Sequence, residues 1–303
     1  MRVIAALLIA LFAAVGALPA AAFESRRITI EHDGRSRTAL IDARADARDA
    51  PVLIGLHGGL AGPMSVRRRA QVTLAAEGWV VLWPYAVEEG DWNDGRRDDD
   101  GRLFDDADDV GFLRALVARL AQAGVADLSR VYVAGPSLGG TMALKLLCDA
   151  PDLVAGAAVA IASLPAGADC AGGPPRPVLL LHGTADRIMP EDGGRIGGWS
   201  PLVRERGDVR PVSETMEILA ARNGCNGYAE SALPDRAADD GSTVRLRAYE
   251  GCEAPLLHYI VEGGGHAWPG SRASRLEGIV GATNRDISAT AEIERFFRAL
   301  AEG

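Results

Sequence analysis

Val131-Tyr132-Val133-Ala134-Gly135-Pro136-Ser137-Leu138-Gly139-Gly140-Thr141 decides how this chain is read. An apolar, β-rich run enters Gly-x-Ser-x-Gly and leaves into residues that favour a helix, which places Ser137 on a tight strand-to-helix turn. Such a turn lifts the serine hydroxyl clear of the sheet, and the flanking glycines leave room for neighbouring backbone. The N–H of the following residue, Leu138, then points where a substrate carbonyl oxygen would lie, at the positive end of a helix. Gly-x-Ser-x-Gly alone is a weak pattern. It gains force from the elements around it and from partners placed in order along the chain.

Those elements alternate. Val52–His57, Trp79–Trp83, Arg130–Gly135, Val154–Ile161, Val178–His182 and Leu256–Val261 are short apolar runs that read as buried strands. Between them, Asp108–Gln122 sets Val110, Leu113, Leu116, Val117 and Leu120 at helical spacing, with Asp105, Asp106, Asp108 and Asp109 about its first turn. Thr141–Cys148, Ser213–Ala221 and Ser288–Leu300 are further helices. Arg26–Glu31 and Thr38–Ile41 flank Asp33-Gly34 and read as an edge hairpin. The expected fold is α/β, a mostly parallel sheet with helices on both faces.

A nucleophilic serine needs a base, and the base an orienting acid. In this order of elements they follow the serine as acid, then histidine. Of the later histidines, His182 ends one buried run and His258 lies within another, so both read as structural. His266 sits in Glu262-Gly263-Gly264-Gly265-His266-Ala267-Trp268-Pro269-Gly270, a glycine-rich loop past the last strand, and is the expected base. Asp186, in His182-Gly183-Thr184-Ala185-Asp186 at a strand end, is the expected acid; Asp192 and Asp208 lack that anchoring. His57-Gly58-Gly59-Leu60 follows the first buried strand, where a second oxyanion donor arises, from Gly59 or Leu60. His57 is expected to brace that loop. Trp92 and Trp199 could line a cleft or belong to the core, and Trp268, beside His266, is expected to shape the rim.

Several classes are excluded. The chain has 303 residues, a formal charge of −9 and a single lysine, Lys145, against many scattered arginines. An acidic chain has no electrostatic footprint for nucleic acid, and Arg67-Arg68-Arg69 reads as a solvated helix face. Ser-x-x-Lys chemistry fails because position 140 is Gly. The Asp91–Asp109 stretch lacks an EF-hand, since Arg96 stands at its first position. No Cys-x-x-Cys, nucleotide or flavin motif occurs, and no metal or cofactor is expected.

Met1-Arg2, an apolar run to Leu18, Pro19 and Ala20-Ala21-Ala22 describe a cleavable signal over residues 1–22, with residues 23–303 as one domain and no lasting membrane anchor. Export fits four cysteines, for which short loops favour Cys148–Cys170 and Cys225–Cys252; two other connectivities stay open.

Leu56-His57-Gly58-Gly59, Trp92–Arg96, Asp109–Leu113, the serine turn, His182–Asp186 and Gly264–Gly270 together resemble the secreted polyhydroxybutyrate depolymerase-like and feruloyl or acetylxylan esterase-like group, related to the first carbohydrate-esterase family. The likeness runs over nearly all of residues 23–303. It implies an α/β-hydrolase fold, hydrolysis of carboxylic esters, and Ser137, Asp186 and His266 as the triad; it is also compatible with both disulfides. Two features depart from the group: Pro136 before the serine, and Pro190–Pro211, which reads as a lid or rim without a substrate signature. No appended polymer-binding domain is read. A serine peptidase of the same fold and a non-catalytic binding protein on this scaffold are the alternatives to a secreted or periplasmic esterase.

Overall fold

Residues that alternate along each buried run part onto two faces, and the structure shows what each face meets. The computed structural model describes residues 23–59, 61–70, 72–87, 91–198, 206–273 and 277–303; the expected signal segment lies outside them. Six neighbouring strands run parallel in the order β4 (Val80–Pro84), β3 (Ala50–Gly55), β5 (Ala126–Pro136), β6 (Gly156–Ala160), β7 (Val178–Gly183) and β12 (Leu256–Glu262). Val131, Val133, Val178 and Leu180 join one core with α2 (Asp109–Gln122), α3 (Leu138–Asp149) and α4 (Val212–Arg222). Tyr132, Ala134, Leu179 and Leu181 join the other, with α1 (Pro63–Ala70) and α6 (Ala289–Glu302). Burial on both faces is why these strands read as continuous apolar runs.

Antiparallel strands extend both edges. The hairpin of β1 (Phe23–His32) and β2 (Arg35–Arg44) docks β2 on β4. Its turn residues Asp33 and Gly34 both take positive φ, 49° and 68°, the requirement of a two-residue primed turn. At the far edge β10 (Gly227–Ala232) and β11 (Thr243–Glu250) add to β12; neither was read from the sequence. A short α5 (Glu277–Val280) and the two-residue strands β8 (Gly194–Arg195) and β9 (Asp208–Val209) lie in connections. Cys148 is bonded to Cys170 and Cys225 to Cys252, the pairing favoured by loop length.

The chain passes from β3 to β4 on one side and then crosses to β5 on the other. Strand order therefore reverses around β3, and in open α/β sheets such a reversal leaves a crevice at the strands' carboxyl ends. The loop after β3 carries Gly58 and Gly59, and the turn after β5 carries Ser137. Among the described residues no helix is long and apolar enough to cross a membrane.

Candidate active site

Ser137 adopts φ 53°, ψ −128° between β5 and α3. A non-glycine residue there is strained, and three bonds hold it: its N–H donates to Ala160 O at 2.9 Å, and its own carbonyl accepts from the Thr141 N–H at 2.9 Å and Thr141 Oγ1 at 3.2 Å. Both flanking glycines are required by space. A Cβ at Gly135 would lie 2.6 Å from the Gly139 carbonyl, and one at Gly139 would lie 2.6 Å from the carbonyl oxygens of Leu56 and His57. Pro136 ends β5 opposite Ala160, where the parallel ladder takes its bond to the Ala160 carbonyl from the Ser137 N–H, so the N–H that Pro136 lacks removes nothing from this pairing.

His266 follows β12 on a loop that only glycine can build. A Cβ at Gly265 would come within 2.1 Å of Val280 O, and the His266 N–H donates to that same oxygen at 2.5 Å. The ring is thereby aimed back at the serine: His266 Nε2 lies 3.0 Å from Ser137 Oγ, and Nδ1 lies 2.7 Å from Asp186 Oδ2. The other oxygen of Asp186 accepts from the N–H groups of Ile188 and Met189, both at 2.8 Å. An ionised carboxylate only accepts, so Nδ1 carries the proton and Nε2 is free to accept from the serine hydroxyl. The Asp186 side chain is 2% exposed and that of His266 12%, so the pair works in a low dielectric yet reaches the surface.

The Gly58-Gly59 loop runs beside this serine. A Cβ at Gly58 would lie 3.4 Å from Ser137 Cβ, and one at Gly59 2.6 Å from Leu138 Cδ1. Leu138 opens α3, so its N–H has no intrahelical acceptor. Leu60, the alternative donor, lies outside the described residues. His57 braces the loop: Nε2 accepts from the Ala86 N–H at 3.2 Å and Nδ1 donates to Gly58 O at 2.9 Å. Burial pushes its pKa down, against the pull of the Gly58 carbonyl and Asp91, so the ring is held neutral in this tautomer. Asp91 and Arg206, paired at 2.8 Å, lie beside Gly59, where a Cβ would meet the guanidinium at 3.1 Å and the carboxylate at 3.2 Å. The Arg206 carbonyl accepts from Arg96, whose guanidinium is paired in turn with buried Asp94.

Trp92 and Trp268 fall elsewhere than a cleft. Trp92 is fully buried and donates to His57 O at 2.9 Å, so it supports the loop from beneath and lines no substrate cleft. Trp268 is also buried; it bonds Thr290 Oγ1 at 3.1 Å and packs with α1 and α6, so it does not shape the rim. Their indole N–H groups had interior acceptors, which sequence cannot show. Trp199 and part of the Pro190–Pro211 segment lie outside the described residues. His182 and His258 bond each other at 2.9 Å, and Glu191 answers His182 at 3.1 Å. Glu191, Asp91 and Arg206 were not read from the sequence, where nothing ties them to partners that are distant or lie in a loop.

No protein-family model matches the chain. Over 271 residues it is 33% identical to a protein of Nocardia uniformis subsp. tsuyamanensis named "Putative esterase NocK", a match covering 84% of this chain and 77% of that one. Over 228 residues it is 26% identical to feruloyl esterase B of Piromyces equi, covering 72% of this chain and 40% of that one. Among solved structures, acetyl xylan esterase from Aspergillus awamori superposes with a TM-score of 0.53 at 15% identity, over 80% of this chain and 94% of that one. An S-formylglutathione hydrolase from Agrobacterium tumefaciens gives 0.52 at 14% identity, over 91% and 95%. Those two likenesses speak to the fold, which is that of the α/β-hydrolases, and the first relative speaks to more: this chain belongs to the esterases, the carboxylic ester hydrolases built on that fold.

Proposed function

We propose that the protein is an exported serine esterase that works through an acyl-enzyme on Ser137. The supporting observation is the unbroken path from Ser137 Oγ through His266 to Asp186, set beside the Gly58-Gly59 loop. Ser137 Oγ attacks the ester carbonyl as its proton passes to His266 Nε2, and the new C–O bond leaves charge on the carbonyl oxygen. The N–H groups of Leu138 and of Gly59 or Leu60 receive that charge. His266 then returns the proton to the departing alcohol oxygen, the alcohol leaves, and water repeats both steps to release the acid. Asp186 fixes the imidazole tautomer and stabilises its charged form. Residues 23–303 act as one catalytic unit, and two disulfides together with the apolar leader support export.

The substrates proposed are hydroxyalkanoate oligomers, or feruloyl and acetyl esters carried on polysaccharide. A fluorophosphonate probe should label the wild type and fail on Ser137→Ala. Nitrophenyl esters of rising acyl length and methyl ferulate should be turned over, and chromogenic peptides should not. Equal labelling of Ser137→Ala removes the nucleophile, and faster peptide than ester turnover replaces the reading with a peptidase.

A further inference from the structure

Two clefts on this acidic protein are each lined by three arginines, and they differ in what answers the charge. The first, about 300 Å³, holds Arg27, Arg35 and Arg37. Arg35 pairs with Asp106, Arg37 with Asp109, and Arg27 lies over the Tyr85 ring. The second, about 600 Å³, opens between α1 and the turn leaving the histidine loop, and is lined by Ser65, Arg68, Arg69, Gly270, Ser271 and Arg272. Among the described residues no carboxylate lines it. The side chains of Arg68, Arg69 and Arg272 make no hydrogen bond or ion pair among the described residues. Arg67, one position earlier on α1, is by contrast fully engaged by Asp42 and Ser25.

The walls of this second cleft are fixed. α1 buries Pro63, Val66 and Ala70. Ala70 O accepts from Thr290 Oγ1 at 2.6 Å, and Thr290 Oγ1 accepts from Trp268 Nε1. Gly270 N–H donates to Asn284 O, and Ser271 N–H closes the turn on Trp268 O. Both walls are thus stitched through the first turn of α6, and only arginine side chains need ordering when a ligand enters. One wall of the cleft also continues the loop that carries His266. Gly270 is four residues past His266, which bounds their separation at about 14 Å for even an extended chain.

We propose that this cleft is a carboxylate subsite, and that the preferred substrates are acidic ester oligomers whose anionic group rests there while a neighbouring ester lies at Ser137. The idea builds on the esterase reading and narrows its substrates. Guanidinium groups present paired N–H donors that match a carboxylate. A chain of net charge −9 repels anions at long range, so a basic cleft that no carboxylate answers among the described residues, beside the loop that carries His266, offers an acidic substrate a favourable approach. The carboxylate has two possible sources: the free end of a hydroxyalkanoate oligomer, or a uronate on an esterified polysaccharide.

Two substrate pairs test this. One is the trimer of 3-hydroxybutyrate against its methyl ester; the other is an acetylated xylo-oligosaccharide with and without a uronate. The wild type should favour the acidic member of at least one pair by about tenfold in kcat/KM at low salt, with the preference shrinking at about 0.5 M salt. The pair that shows it names the source. In the triple variant Arg68→Gln, Arg69→Gln, Arg272→Gln the ratio should fall towards one, with the thermal melt confirming the fold. Calorimetry of the acidic trimer and the uronate-bearing oligosaccharide against Ser137→Ala should show saturable, salt-sensitive binding of whichever acid is preferred, lost when the three arginines are also replaced. No preference in either pair, a preference that survives the triple variant, or no binding to Ser137→Ala overturns the subsite. Failure of wild type to hydrolyse any ester or to take the fluorophosphonate overturns the esterase reading instead, and the binding measurement still decides the cleft.

Discussion

β7 and β12 each contribute to two histidine–carboxylate networks, and the two have opposite fates. In one, His266 and Asp186 lie beyond the ends of those strands, and the path finishes at the hydroxyl of Ser137, a partly buried residue. In the other, His258 lies within β12 and His182 at the end of β7; Glu191 answers His182, and the path finishes at His258 Nδ1, buried without a partner among the described residues. The residue types are nearly the same. With Nε2–H of His182 donating to Glu191, its Nδ1 accepts from His258, and the leftover atom is a bare lone pair, the cheaper group to leave unbonded. Position relative to the strand end separates a network that can meet a substrate from one that ties two strands together.

The widest gap between them should appear on removing the histidines. His266→Ala should lower kcat on the order of a million-fold, as loss of a triad base does when the serine is left without a proton acceptor. His258→Gln, whose amide can still donate to His182 Nδ1, should change kcat/KM by less than about threefold. Steady-state turnover of a nitrophenyl ester checks both. A comparable loss in His258→Gln would mean that the second network serves the chemistry and that the separation is wrong.

The acids should follow with a smaller contrast. Asp186→Asn keeps the volume but offers an amide where Nδ1–H needs an acceptor, and about a ten-thousandfold loss in kcat with little change in KM is expected. Glu191→Gln retains an acceptor for His182 and should stay within about twofold. Retention of more than about a tenth of activity in Asp186→Asn would remove Asp186 from the role assigned to it.

The first network was legible and the second only in outline, for a physical reason. Ser137, Asp186 and His266 each stand just past an apolar run, with glycines beside the serine and the histidine, so the strand pattern itself carries them to one edge of the sheet. His182 and His258 also read correctly as strand histidines, but their bond and Glu191 depend on β7 and β12 being neighbours, which spacing does not encode. The tryptophans show the same limit. An indole reads alike in the sequence whether it faces solvent or, as Trp92 does, the buried carbonyl of His57. β10 was missed because all six of its residues are exposed, leaving no apolar face for a pattern to mark, and β11 is only weakly alternating.

The smallest difference concerns stability, and its sign follows from burial. His258 is held neutral far below the ordinary histidine range, first by burial and then by His182 on β7 and the guanidinium groups of Arg247 and Arg245 on β11. Glu191, the nearest carboxylate in the network, contacts His182 and not His258. In the unfolded chain the imidazole takes up its proton near pH 6.5; in the fold it does not. Below that pH the unfolded state binds the extra proton, so stability is complete above about pH 7 and falls as the pH drops, by about 1.4 kcal/mol for each unit and each such histidine. His57, also pushed down by burial, contributes in the same direction. Denaturant melts between pH 7.5 and 5 should therefore show a loss that is shallower in His258→Gln, by nearly one proton in the slope, while the His57 share remains. The slope is the quantity to read, because the substitution also alters packing equally at every pH. An unchanged slope would show that His258 takes up its proton in the fold; its Nε2–H would still donate to His182 Nδ1, and the buried Nδ1 would then carry an N–H in place of a lone pair.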